Sequence, residues 1–159
     1  MRSIAFTAAL IGSILFSYAG LSSAADTTIA CPLLTQAEIG AATGATVGAG
    51  APIAAPTSCQ WSGQGKIVTL VIRKPLAGKS PVDQFNDGKT RSLPGVTIEP
   101  VSGAGDDAYY VYFTGQNRAG CGVMVKKGSS VFEIRVYGFD LSQAKTVSKA
   151  LAHDAAGKL

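Results

Sequence analysis

The chain has 159 residues, 14 of them Lys or Arg against 10 Asp or Glu, for a formal charge of +4. That length bounds the fold to one domain with a real core. The cations are scattered, with no basic run longer than a pair such as Lys126-Lys127, which describes an ordinary solvated surface and excludes a nucleic-acid footprint.

The N-terminus reads as an export signal. Arg2 supplies the positive start, Ile4 to Leu21 form an apolar run, and Ser22-Ser23-Ala24-Ala25 offers small residues to signal peptidase. A membrane anchor is the competing reading, since the run nears the length of a short span. The small-residue site and the lack of a basic flank after it favour cleavage after Ala25, leaving residues 26–159 as one exported domain, periplasmic or secreted. A lipoprotein cysteine should directly follow the apolar run, whereas Cys31 follows Thr28-Ile29-Ala30. No lipid attachment and no stable membrane anchor are therefore expected. In an oxidising compartment disulfide chemistry is the default, and Cys31, Cys59 and Cys121 permit one bridge with one thiol left over.

Thr35-Gln36-Ala37-Glu38 is a capping box, Leu34 and Ile39 form a hydrophobic staple around it, and Gly44 stops the helix. Gly44 to Thr57 fits neither helix nor strand periodicity and is expected as a long surface loop. Ser58 to Trp61 reads as a short strand, and Lys66 to Lys74, apolar on both faces, as a central one. Ser80-Pro81-Val82-Asp83 opens a second helix that Gly88 is expected to close, and Gly95 to Val101 can form another strand.

The next strands carry their own register. A two-residue Gly128-Ser129 turn pairs Lys127 with Ser130, so that Val125 faces Phe132, Val123 faces Ile134 and Cys121 faces Val136, all apolar on one side. Pairing Thr114 with Gly120 across a five-residue loop then sets Phe113 beside Cys121, Val111 beside Val123 and Tyr109 beside Val125, again on the core side. The chain ends in a helix capped by Asp140, with Gln143 at the capping-box position and an inner stripe of Leu141, Ala144, Val147, Ser148, Leu151 and Ala155. The order of elements predicts a single α+β domain, a mostly antiparallel sheet with flanking helices.

Cys31-Pro32-Leu33-Leu34-Thr35 leading into a short helix, Cys59-Gln60-Trp61, Gly103-Ala104-Gly105-Asp106-Asp107-Ala108-Tyr109 entering a strand, and a terminal alanine-rich helix together resemble a family of small bacterial envelope proteins of unknown function. Many of that family are actinobacterial lipoproteins, and the family is similar to the Mog1/PsbP-like α/β/α sandwich. The resemblance implies that fold and supplies no catalytic residues; the lipobox is missing here and Cys121 lies outside the pattern. The expected bridge is Cys31–Cys59, which ties the first helix to the Cys-Gln-Trp strand and closes the glycine/alanine loop. Cys121, aimed inward by the register, is expected as a buried free thiol.

No catalytic, cofactor-binding or metal-ligating set stands out. Gly103 to Ala108 opens a strand rather than a helix, so it does not present amides to a phosphate. Asp106 and Asp107 point to opposite faces and cannot share acid/base work. His153, the lone histidine, is expected on the outer face of the last helix, no G-x-S-x-G flanks any serine, and Trp61 beside a cysteine reads as core packing. What remains is the outer side of the meander: the register puts Tyr112, Gly122 and Arg135 in one row, Tyr110, Met124 and Glu133 in the next, and Tyr137 beside Gly120. Either a helix covers that face or it is an interaction surface. The expected function is non-enzymatic binding of a small molecule or lipid by a monomer; the alternatives are a protein-binding module, such as an inhibitor of a secreted hydrolase, and an enzyme of unrecognised type.

Overall fold

The computed structural model of the chain describes residues 29–113 and 120–159, so the expected export signal, its expected cleavage site, Thr114 and the loop expected at 115–119 lie outside the described residues. Within them a 3-10 turn, Cys31–Leu33, leads to α1, Gln36–Thr43, and then to strands β1, Ala51–Ile53, β2, Ala55–Gly63, and β3, Lys66–Ile72. Helix α2, Pro81–Thr90, precedes β4, Val96–Val101, β5, Asp107–Phe113, β6, Cys121–Lys127, and β7, Ser130–Tyr137; α3, Leu141–Ala156, closes the chain. All strands join one antiparallel sheet in the order β1-β2-β3-β7-β6-β5-β4, with α1 and α3 on one face and α2 on the other. This is an α+β domain.

The helix starts follow their caps. Thr35 accepts from the Glu38 amide at 3.2 Å while Glu38 accepts from the Thr35 amide at 2.6 Å, and Gly44 takes the left-handed C-cap at φ 64°. Ser80 and Asp83 build the same box on α2, which runs past Gly88 to Thr90 because Arg91, in extended backbone, is where the helix stops. On α3 only half of the box forms: Asp140 accepts from the Gln143 amide at 2.8 Å.

The α3 face holds the main core. Cys59, Trp61, Val68, Leu70, Cys121, Val123, Phe132 and Ile134 are buried there, beneath Ala144, Leu151 and Ala155. Cys31 and Cys59 are bridged across 28 positions, a closure that contributes about 3–4 kcal/mol in the chain-entropy model. Cys121 is a buried free thiol.

Two expectations are corrected. The stretch expected as a loop to Thr57 contains β1 and the start of β2, joined at Ala54 with φ 61°, while Gly48 donates to the Ser62 carbonyl at 2.9 Å. Ala and Pro carry no alternation to betray this hairpin; its backbone pairing alone defines it. Gly50 lies against Trp61, where a Cβ would stand 2.5 Å from the indole Nε1 and 2.9 Å from Cys59 Sγ.

The second correction is a one-residue shift. The β6–β7 register holds as read, but β5 pairs Tyr112 with Cys121, Tyr110 with Val123 and Ala108 with Val125. Tyr109, Val111 and Phe113 therefore turn to the α2 face, and Tyr110 and Tyr112 to the α3 face. Tyr109 packs on Phe85 of α2 and Tyr110 bonds α3, so the strand carries apolar residues toward both faces without alternation and cannot select a register by itself.

The two edge strands, β1 and β4, are short and each contains a proline, Pro52 and Pro100.

Candidate functional site

The α2 face carries the one buried carboxylate among the described residues, Glu133 of β7, only 3% exposed. Alternation places it in a row with Val71, Met124 and Tyr109, next to a row of Thr69, Arg135, Gly122, Val111 and Ile98. Two guanidiniums close on it. Arg73, just beyond β3, reaches Oε2, and Arg135, two positions along β7, reaches Oε1. Gly122 leaves the acid its room, since a Cβ there would stand 3.1 Å from Glu133 Oε1.

A buried carboxylate with two cationic partners is compensated in charge and hydrogen bonds. One carboxylate faces two guanidiniums, so the cluster keeps a net positive charge. Arg73 lies 3.9 Å from Met124 Sδ, a weak acceptor, and its Nε is buried without a hydrogen-bond partner among the described residues. Burial opposes the charge on Arg135, and the hydrogen bond and ion pair with Glu133 outweigh it, holding its pKa above the ordinary arginine value. Beside them Tyr109 donates to the Phe85 carbonyl at 3.3 Å, and its pKa is raised, first by burial and then by the Glu133 charge.

This cluster lies at the base of a cleft of about 430 Å³ between α2 and the sheet. Met124, Val111 and Ile98 give it an apolar floor, and the turns carrying Leu76 and Leu93 bracket it. Four cationic side chains, Arg73, Lys79, Arg91 and Arg135, line it against two carboxylates, Asp87 and Glu133. Lys79 is paired with Asp87 and Glu133 with two arginines, so the lining keeps an excess of positive charge.

Of the residues expected on one face, the structure brings together Met124, Glu133 and Arg135, with Tyr137 at the border, its ring packed over Gly120 and exposed beside Ile67. It takes Tyr110 and Tyr112 away. Tyr112 donates to Glu99 at 2.9 Å, Tyr110 donates to the Lys145 carbonyl at 3.2 Å, and Lys145 bonds Glu99 at 2.6 Å, so these tyrosines fasten α3 to the β4–β5 margin. Arg73, Arg91 and Tyr109 join the site without any local sequence signal.

A more open depression of about 560 Å³ runs along α3 between Lys145, Lys149 and His153, where His153 Nδ1 lies 3.0 Å from the Gly103 carbonyl. Cys121 lies 4.0 Å from the Ser148 hydroxyl, and burial pushes its thiol pKa up. Asp106 takes bonds from the Gly128 amide and Lys127 at 2.7 and 3.1 Å, and Asp107 pairs with Lys89 at 2.7 Å, so both serve turn and strand-end contacts. Among the described residues no group of three or more His, Cys, Asp or Glu could hold a metal ion, and no helix is long and apolar enough to cross a membrane. Comparison with protein-family models, with curated proteins and with solved structures finds no match.

Proposed function

We propose that this protein is an exported, non-enzymatic binding domain whose cleft takes a small amphipathic anion, an apolar body ending in a carboxylate or phosphate. The observation that carries the reading is the cationic excess around Glu133, set at the base of an apolar-floored cleft of about 430 Å³. That volume lies in the range of small-molecule sites, and a few polar groups on an apolar lining are what orient a ligand. Guanidiniums suit the role because their fork can hold a second carboxylate or phosphate while keeping the first. The Cys31–Cys59 bridge and the absence of a membrane-spanning helix among the described residues are compatible with export. Helices on both faces of the sheet are compatible with the envelope-protein sandwich that the sequence resembles.

Calorimetric titration with decanoate, decanol and decyltrimethylammonium tests this. Decanoate is expected to bind, decanol far more weakly, and the cation not at all. Arg135→Ala should weaken decanoate by about tenfold, the size of one charge-assisted hydrogen bond. Equal affinity for decanoate and decanol, or no binding by either, would overturn the proposal.

A further inference from the structure

Large apolar side chains are not spread evenly over the surface. Of the eight exposed ones among the described residues, six lie on the α2 side of the sheet. Leu76 and Leu93, 69% and 48% exposed, stand at the cleft. Ile53, Ile67 and Tyr137 line a groove over the half of the sheet that α2 leaves uncovered. Phe113, 56% exposed, follows Tyr109 and Val111 onto this face by alternation along β5. Scattered exposed leucines are ordinary; six apolar side chains gathered on one side are a surface that water does not favour.

The charges on the same side have one predominant sign. Arg73, Arg91 and Arg135 lie among these apolar residues, while Asp87 is paired with Lys79 and Glu133 is buried between its two arginines. Leu76 opens a tight turn, bridged to Lys79 by backbone hydrogen bonds in both directions around Ala77 and Gly78 at φ 50° and 77°, and its side chain is exposed there. Apolar tips with cations between them match an anionic bilayer, where side chains enter the headgroup boundary and guanidiniums meet phosphate.

The geometry points to this face as a docking surface for an anionic lipid bilayer, seated through Leu76, Leu93 and Phe113 with Arg91 and Arg135 toward the phosphates. The surface goes beyond ligand binding and stands on the distribution of exposed side chains alone. Docked this way, the cleft opens toward the bilayer, the source of an amphiphile.

Sedimentation with vesicles tests it. The protein is expected to pellet with phosphatidylglycerol-containing vesicles and to stay in solution with pure phosphatidylcholine. High salt should release it, because the attraction is screened. Leu76→Ser combined with Leu93→Ser, at sites exposed enough to leave the core intact, should lower partition by about tenfold. Circular dichroism confirms that the variant is folded. Absence of wild-type retention, retention on both vesicle types alike, or unchanged partition in the variant each overturns the inference; a face that takes a protein partner instead gives the first result. Failure with vesicles alongside decanoate binding sinks the docking and leaves the ligand reading, and the reverse pattern does the opposite.

Discussion

Glu133 is the residue on which the α2 face depends, and its two roles separate under substitution. Glu133→Gln keeps the shape but leaves Arg73 and Arg135 facing each other with no anion between them. Losing a charged partner in a buried cluster is expected to cost about 2 kcal/mol, read as a lower melting temperature. The same change frees both guanidiniums, so decanoate should bind several-fold tighter and raise the melting temperature of the variant more than that of the wild type. A purely structural glutamate predicts the stability loss without the gain in affinity, and that outcome would remove Arg73 and Arg135 from the site.

At the scale of elements, α1 shows how a local signal and a distant one combine. The capping box is written in Thr35 and Glu38, but the structure adds Lys158, beyond α3, which bonds Glu38 at 2.7 and 2.9 Å. The Lys158 hydrogen bond, then the Thr35 amide and hydroxyl, hold the Glu38 pKa at about 2 against an ordinary 4.5. A depressed carboxylate stabilises the fold above its unfolded pKa and loses that contribution as pH falls through the folded one. Melting temperature should therefore drop between pH 4.5 and 2. Glu38→Gln should start about 1 kcal/mol lower at neutral pH, after allowing for solvent screening, and meet the wild type at the acid end. Parallel acid limbs for the two proteins would refute the assignment.

What the sequence disclosed follows the same division. The caps of α1 and α2 and the β6–β7 hairpin rest on residues a few positions apart, and their signals survive because nothing distant competes with them. β5 offered two registers, since Ala108 to Phe113 is apolar at every position and side chains on both of its faces meet helices. β1 was silent because Ala, Pro and Gly give no alternation. At the candidate site, Met124, Glu133 and Arg135 were legible as one face of a hairpin. Arg73 was not, since it meets Glu133 across 60 positions and nothing near it in the chain marks the encounter.

Across the whole molecule, the margins of the sheet set how copies of the chain behave toward one another. The outer strands, β1 and β4, are three and six residues long, and Pro52 and Pro100 take a backbone donor out of each. A strand from another molecule finds a ladder interrupted by proline on either side, so these margins are expected to resist templated fibre growth. The protection is written in the backbone rather than in surface charge, and it persists at salt levels that screen repulsion. Pro52→Val with Pro100→Val should show its removal: light scattering during concentrated refolding rises in the double variant and stays flat in the wild type, at high salt as at low. Equal scattering from both proteins would mean that something other than these two prolines keeps the chains apart.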